Sequence, residues 1–476
     1  MLQALRNALA LPELRNRILF TVFILVVYRL ISHIPVPGVN IDVLRQIQQA
    51  VESGQAGGLG NLVGILGLLS GGAVNNFSVL AMGVYPYVTA QLIVQLLIPI
   101  IPRLSEMAKE GEQGKRKINR LTYIATVPMA MLNAIGQVNI FEQIGYQATG
   151  GAARVLPNWG LAPAEFILPT LVTIITMTAG TMFAIWLGEL ITEQGIGQGL
   201  SIIIFGGIVS RLIFSLVQGV AGQPDTINRI LALIALVVVL IAMVVVIVVI
   251  QEGERRIQVQ YGKRVRGNRM MGGANTHIPL KVNSTGMIPL IFAQAMLTFP
   301  AVLASFFVNS PDATVQNIAF WISNFFTGSR SSTATLWFPG FNTIAYALLL
   351  FALVVGFTYF YTDVVMQQQA LAENLQKQGG FIPGIRPGKS TDQFVTKVMR
   401  RLTLVGALFL GLLAIIPYVF ELLSTYVPGL GFLAPLGRGS TLISGAGLLI
   451  VVGVVLDTMR QLEAQLMMRR YEGFIK

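Results

Sequence analysis

Apolar residues occur along this chain in long runs, separated by short segments rich in Lys, Arg, Gly and Pro. The run ILALIALVVVLIAMVVVIVVI, 230–250, contains no polar side chain. A helix of roughly 20 such residues crosses the hydrocarbon core of a bilayer. The pattern predicts an all-α polytopic membrane protein with ten spans, at 18–34, 80–101, 121–141, 166–188, 200–220, 230–250, 286–308, 341–362, 402–423 and 441–459.

One apolar stretch does not fit a simple series of spans. Residues 62–101 are apolar for about twice the length of one crossing, and the first part is rich in glycine, which weakens helices. We expect 62–78 to form a short half-helix inside a cavity lined by protein, since irregular backbone at membrane depth is tolerated only there. The alternative is an amphipathic helix that lies on the membrane surface.

Composition supports a membrane protein and excludes several kinds of chemistry. The 476 residues are 54% hydrophobic and only 11% charged, whereas a soluble domain has about 25% charged residues. With no cysteine and two histidines, we predict no disulfide, no metal site and no cofactor. Nothing resembles a nucleotide-binding loop or a catalytic triad. The sequence therefore predicts no enzyme activity.

The distribution of basic residues predicts the orientation in the membrane. If the N-terminus is cytoplasmic, 26 of the 33 Lys and Arg residues fall in cytoplasmic segments and five in external ones. Basic residues mark the cytoplasmic side. The start of the chain, 1–17, reads as a short amphipathic helix and not as a cleavable signal peptide. Both termini are therefore expected in the cytoplasm.

The ten spans divide into two sets of five, 1–222 and 223–476. Because each half has an odd number of spans, a repeat would have inverted topology, and such repeats commonly place a pathway where the halves meet. The ionisable residues within or near the spans lie toward span ends, where long side chains reach the interface; they are Arg29, Glu189, Arg211, Glu421 and Asp457.

Polar residues in spans two and seven leave two interpretations open. Thr89, Gln91 and Gln95 lie in the second span, and Asn283 and Gln294 lie at the start of the seventh or within it. Such side chains commonly hydrogen-bond between helices. They could also form a seam between helices that water can enter.

Two long polar loops, 251–285 and 363–401, are basic. The first contains ERRIQVQYGKRVRGNRMMGG, whose alternation predicts a hairpin with Tyr261 and Gly262 near its tip. The second contains GGFIPGIRPGKS, 379–390, where prolines fix the backbone and glycines permit tight bends. A rigid basic loop suits docking to an acidic partner such as RNA phosphate or an acidic protein surface.

Several motifs in order resemble the SecY family, the channel-forming subunits of the Sec protein translocase (SecY/Sec61-alpha). They span nearly the whole chain, although the external segments 142–165, 309–340 and 424–440 match no motif of the family. The motifs are HIPVPG (33–38), SGGA (70–73), GVYPY (83–87), KEGEQGKRKI (109–118), GTMFAIWLGELITEQGIGQGLSIIIF (180–205), THIPLKVN (276–283) and FIPGIRPG (381–388).

The resemblance implies two inverted five-helix halves around a central pore for unfolded polypeptide. The half-helix would be an external plug, with Leu66, Leu69, Ser70, Gly71 and Gly72. An aliphatic ring would form the constriction, where it gives a moving chain no polar group to bind and resists wetting when empty. Isoleucine is frequent in the family at the three positions that here are Val84, Val88 and Leu200. The ring would comprise Val84, Val88, Leu200, Ile204, Ile291 and Ile450.

The resemblance also implies a lateral gate, partners and an energy source. Spans two and three would face spans seven and eight at the gate, marked by Thr89, Gln95, Gln294 and Phe299, and release signal sequences and membrane proteins into lipid. SecE and SecG would be partner subunits in the cytoplasmic membrane of a prokaryote. The SecA ATPase or the translating ribosome would supply the energy and dock on Arg255, Arg256, Lys263, Arg264, Arg386 and Lys389.

Two other function classes compete with a passive channel. A secondary transporter for a small solute would also use inverted repeats, but the spans hold few of the ionisable groups that coupling needs. A membrane scaffold for ribosomes would dock through Arg386, and no moving chain would touch Ile291.

Overall fold

A computed structural model describes most of the chain. The described residues are 11–52, 63, 66–67, 70–98, 100–149, 153–160, 164–221, 226–261, 264–266, 269–271, 275–307, 312–326, 341–369, 375–377, 379–427 and 445–475. The first ten residues of the predicted amphipathic helix, Leu69 of the predicted plug and Lys263 lie outside them. The division between residues 222 and 223 does too, and it stays a prediction.

The protein is built mainly of helices. Before residue 222 they are α1 (Pro12–Ile31), α2 (Ile41–Glu52), α3 (Tyr85–Leu97), α4 (Pro102–Lys109), α5 (Glu112–Ala148), α6 (Ile167–Gln194) and α7 (Gly199–Ala221), with a 3₁₀ turn at Ala164–Phe166. After it they are α8 (Thr226–Glu252), α9 (Ile288–Ser305), α10 (Ala313–Phe326), α11 (Phe341–Gln369), α12 (Lys389–Tyr426) and α13 (Gly445–Ile475).

Each of the ten predicted spans overlaps one of these helices. Among the described residues, five helices are long and apolar enough to cross a membrane, namely α5, α6, α8, α11 and α12. Helices α3 and α4 meet at a bend of 104° and together pass the same test, whereas α7 and α9 contain shorter apolar stretches. The membrane class is confirmed, and the number of ten spans stays a prediction.

Two apolar cores hold the helices together. The larger joins α1, α2, α3, α5, α6 and α7 to side chains of α9 and α13, and the smaller joins α8, α9, α11, α12 and α13. Helix α8 presents much of its surface outward, including Val238 and Val249, which are 60% and 63% exposed. That exposure suits a helix surrounded by lipid. Helices α9 and α13 contribute to both cores and so connect the two halves of the chain.

The plug region, residues 70–78, differs from the predicted half-helix. Helical backbone is described at 63, 66 and 67, and residues 70–77 form consecutive turns. Glycine at 71 and 72 adopts positive φ angles of 66° and 85°, which helices do not accommodate. The expectation of a protein environment is confirmed, because Ser70, Ala73 and Val74 are fully buried. The prediction of a helix over these residues was wrong.

The two polar loops fold together into one sheet. Strands β1 (Glu254–Tyr261) and β4 (Asn275–Lys281) pair antiparallel, and β5 (Gly380–Phe381) adds to the other edge of β1. A second hairpin, β2 (Arg264–Arg266) with β3 (Arg269–Met271), extends between β1 and β4. Tyr261 ends β1 and pairs with Gly380. Because β2 and β3 pair further along the chain, the prediction that Tyr261 lies near the hairpin tip was wrong, and Gly262 lies outside the described residues.

Candidate functional site

Six aliphatic side chains predicted to line the constriction belong to one large apolar core. We name Val84, Val88, Leu200, Ile204, Ile291 and Ile450 the aliphatic cluster. All six belong to the larger apolar core, four as buried members and two, Val88 and Leu200, as half-buried side chains packed against it. Val84 is 1% exposed and Ile450 is 3% exposed. The structure thus brings together residues separated by more than 300 positions in sequence.

Four helices position the aliphatic cluster. Val84 is the N-cap of α3, and Val88 follows it by four residues, so both lie on one face. Leu200 and Ile204 have the same spacing at the start of α7. Ile291 lies in the first turn of α9, and Ile450 lies in α13. Both halves of the chain therefore contribute, and none of the six side chains carries a hydrogen-bonding group.

Helix α1 holds the plug region by two side chains that the sequence did not reveal as functional. The Tyr28 hydroxyl donates a hydrogen bond to the carbonyl oxygen of Ser70 at 2.9 Å. Nη1 of Arg29 donates one to the carbonyl oxygen of Gly71 at 3.0 Å. The sequence indicates for Arg29 only a position near the end of a span. A cation in a span that precedes a glycine-rich segment is the signal that could have identified it.

Helix α7 touches the plug region by direct backbone contact. A Cβ added to Gly207 would lie 2.2 Å from the Cα of Gly71, and one added to Gly71 would lie 2.8 Å from the Cα of Gly207. Both positions therefore require glycine. Leu66, which is 8% exposed, packs in the same core, and Gly72 lies beside Arg29. Leu69 lies outside the described residues.

The segment between α1 and α2 fixes the far end of the plug region. Pro35 and Ser78 form an antiparallel bridge. The Val36 amide donates to the carbonyl of Phe77 at 3.0 Å, and the Val79 amide donates to the carbonyl of Ile34 at 3.0 Å. The HIPVPG motif is therefore joined to the end of the plug region by an isolated bridge and two backbone hydrogen bonds.

The residues predicted at the lateral gate differ in what they contact. The Thr89 hydroxyl donates to the carbonyl of Pro86 in its own helix at 2.9 Å, so it does not link two helices. Gln95 of α3 is half-buried, and its side-chain oxygen has no hydrogen-bond partner among the described residues. Gln294 is half-buried, and Phe299 is 50% exposed.

Helices α5 and α9 come close to each other at Gly136. A Cβ at this position would lie 2.6 Å from Cγ1 of Val302 and 3.8 Å from the Phe306 ring. This contact lies between spans three and seven, on the predicted gate. Sequence reasoning missed it because an isolated glycine within a span carries no signal about its neighbour.

Gly136→Ala is expected to destabilise the contact between α5 and α9. Overpacking of this kind costs about 1–3 kcal/mol, so thermal unfolding in detergent should begin at a lower temperature. Because Val302 supplies the clash, Val302→Ala should suppress the effect, and the double variant should be more stable than the two single losses predict. Strict additivity of the two substitutions would contradict this contact.

The predicted docking residues that the structure describes lie on the strands of the first polar loop and, in the second loop, between β5 and the start of α12. Arg255 and Arg256 on β1 are exposed, as are Arg386 and Lys389 on the second loop. Nε of Arg256 donates to Oε1 of Glu254 at 2.7 Å, so its charge is partly neutralised. Arg264 lies in β2, and Lys263 lies outside the described residues. Pairing of β1 with β5 brings the two loops together.

The 379–390 loop is fixed at several points. Gly379, Gly384 and Gly388 have φ angles of 74°, 81° and 100°, the left-handed region that glycine tolerates best. Ile382 is 5% exposed and belongs to an apolar cluster with Ile257, Leu280 and Met399. The Thr391 hydroxyl donates to the carbonyl of Arg386 at 3.0 Å. Arg386 therefore projects from a held backbone.

Comparison with known proteins decides the family. The SecY family model matches residues 78–459, which include five of the seven motifs in full. The chain belongs to the SecY family. The sequence-based resemblance is thereby confirmed.

Full-length relatives agree with this assignment. The protein translocase subunit SecY of Halalkalibacterium halodurans is 39% identical over 483 residues, covering 100% of both chains. The subunit of Thermus thermophilus is 40% identical over 475 residues, covering all of this chain and 98% of its own. This chain is therefore similar to translocase subunits over its full length.

Solved structures share the fold of this SecY family member. A protein-conducting channel matches with a TM-score of 0.57 and 18% identity, covering 94% of this chain and 91% of its own. Sec61 in the canine ribosome–channel complex from the endoplasmic reticulum matches with a TM-score of 0.54 and 17% identity, over the same shares. At these identities the likeness concerns the fold.

Proposed function

We propose that this protein is the passive channel of a protein translocase, through which unfolded secretory chains cross the cytoplasmic membrane. The aliphatic cluster supports the proposal, because its side chains come from four helices and both halves of the chain and lie in one apolar core. A constriction of such side chains forms no hydrogen bond or ion pair with a passing chain and resists wetting. Its relatives are translocase subunits.

The plug region is proposed to close the empty channel. Its residues lie in the same apolar core as the aliphatic cluster, and α1 and α7 hold it through Tyr28, Arg29 and Gly207. A related structure describes a SecY plug domain that stabilises the closed state and maintains a membrane seal. In this chain, displacement of the plug region would break the hydrogen bonds from Tyr28 and Arg29 and the backbone contact between Gly71 and Gly207.

The lateral gate is proposed to lie between spans two and three on one side and spans seven and eight on the other. Contacts of α9 with α3 and α5 close this seam. Separation of these helices would expose a signal sequence or a membrane segment to lipid. SecE and SecG are the proposed partner subunits. The halves 1–222 and 223–476 are proposed to move relative to each other when the gate opens.

The energy is proposed to come from a docked partner, the SecA ATPase or the translating ribosome. Arg255 on β1, Arg386 in the second loop and Lys389 at the start of α12 are exposed, and exposed cations attract RNA phosphate and acidic protein surfaces. A related channel is described in a ribosome complex. We therefore propose that the sheet and both termini lie on the cytoplasmic side.

Arg386→Ala is expected to weaken docking of SecA or ribosomes to proteoliposomes roughly tenfold, since a lost bond to a charged group costs about 1.5–3 kcal/mol. Flotation of bound partner with the vesicles measures the loss. Arg256→Ala is the matched control and should lose less, because Glu254 partly neutralises that exposed cation on β1, the strand that pairs with β5 of the loop. Equal losses for both variants would mean that the loop does not present a specific contact.

The channel proposal is tested with proteoliposomes that contain the protein and its partner subunits. With SecA and ATP, an unfolded secretory chain should become protected from added protease inside the vesicles. Uptake of a small solute driven by an ion gradient, without protease protection of the polypeptide, would favour a transporter. Tight docking of ribosomes without protection would favour a scaffold.

A further inference from the structure

Helices α11 and α12 form a basic groove that the channel function does not use. The groove has a volume of about 490 Å³, and its lining includes Tyr359, Thr396, Lys397, Arg400 and Arg401. Most of the lining residues belong to the first part of α12, which follows the 379–390 loop, and Tyr359 belongs to α11. The lining thus combines three cations with hydroxyl groups able to donate hydrogen bonds.

The charges of the groove do not cancel. Asp392 is part of the lining, and Asp363 lies 3.8 Å from Arg400. In the part of the chain that the structure describes, Lys397 and Arg401 form no ion pair with a carboxylate. Three cations therefore face two carboxylates, and one negative charge is needed to balance them.

An apolar stripe continues from the groove along α12. Leu404, Leu408 and Leu412 follow Arg400 at intervals of four residues, which places them on one helix face. They are 48%, 43% and 55% exposed. A helix rises 1.5 Å per residue, so the stripe extends roughly 18 Å from Arg400, about the depth of one leaflet of the hydrocarbon core.

We propose that the α11–α12 groove binds the phosphate of one anionic membrane phospholipid, whose acyl chain lies along Leu404, Leu408 and Leu412. Lys397 and Arg401 bind the phosphodiester, and the Tyr359 and Thr396 hydroxyls are placed to donate to its oxygens or to the glycerol. One phosphodiester supplies the single balancing charge. A soluble phosphate would match the cations but leave the apolar stripe unused.

The test uses the full chain in detergent, titrated with phosphatidylglycerol and followed by native mass spectrometry. The wild type should retain one phosphatidylglycerol more tightly than phosphatidylcholine. Lys397→Gln combined with Arg401→Gln should weaken that binding by about 25-fold, since each cation near anionic lipid contributes roughly fivefold. Soluble glycerol phosphate should not displace the lipid at equal concentration.

Lys115→Gln combined with Arg116→Gln is the matched control, because it removes two exposed cations from the start of α5. This control should keep the tightly bound lipid. Equal loss in both double variants would mean that net charge alone attracts lipid, and would overturn the proposal. Displacement by glycerol phosphate would overturn it too. So would cross-linking of Lys397 to a polypeptide in native membranes in place of lipid.

Discussion

Gly207→Val is expected to make the resting channel conduct ions. The new side chain would occupy the space of the Gly71 backbone, since a Cβ at 207 already lies 2.2 Å from its Cα. Neither α7 nor the plug region can relieve this contact by rotating a side chain. If the closed arrangement loses about 2 kcal/mol, the ratio of open to closed channels rises about 30-fold. Conductance of the purified protein in planar bilayers measures that ratio.

Gly356→Val is the matched control for this substitution. Gly356 lies within α11, a membrane-spanning helix, and a Cβ there meets nothing within 4 Å. This variant should stay closed. A closed Gly207→Val channel that is still folded, as judged by its elution and helix content, would show that the plug region does not seal the pore at this contact.

The second large effect is expected from Ile291→Asn in the aliphatic cluster. Ile291 is 6% exposed among apolar side chains, and an amide buried without partners costs about 1–3 kcal/mol. Water in the constriction would satisfy the amide, so the substitution favours a wet, conducting pore. Resting conductance should rise at least roughly tenfold, and chains with weak signal sequences should cross more readily.

Two variants separate a broken seal from general destabilisation. Ile291→Val keeps the site apolar and should leave the channel closed. Val246→Asn places the same amide on the lipid-facing side of α8, where Val246 is 49% exposed. Because that site lies away from the aliphatic cluster, the variant should lower stability without raising conductance. Equal leakage through Val246→Asn would contradict the assignment of the cluster as the seal.

The positions of the apolar helices could be predicted from sequence, because the length of an uninterrupted apolar run is the signal that identifies such a helix. Each predicted span overlaps a helix, since a run such as 230–250 has no other stable form in a bilayer. The aliphatic cluster came from the resemblance and not from periodicity, because an isolated Ile291 or Ile450 looks like any other apolar span residue. The structure adds the observation that all six side chains belong to one apolar core.

The anchoring of the plug region and the joining of the loops could not be predicted. Tyr28 bonds to Ser70 over 42 positions, and no local pattern reports such a distance. Strand β5 has only two residues, Gly380 and Phe381, too few to show an alternation of apolar and polar positions. Glycine at 71 and 72 weakens a helix, but neither the positive φ angles of these residues nor the contact of Gly71 with Gly207 is visible in the sequence.

The most direct test of the central claim is a photo-cross-linking residue at position 291 while a secretory chain is stalled midway through translocation. The account predicts adducts between position 291 and the mature region of the stalled chain, and none from a probe at Val246 on the lipid-facing side of α8. Adducts at Arg386 with none at 291 would contradict a pore through the aliphatic cluster and leave a docking platform.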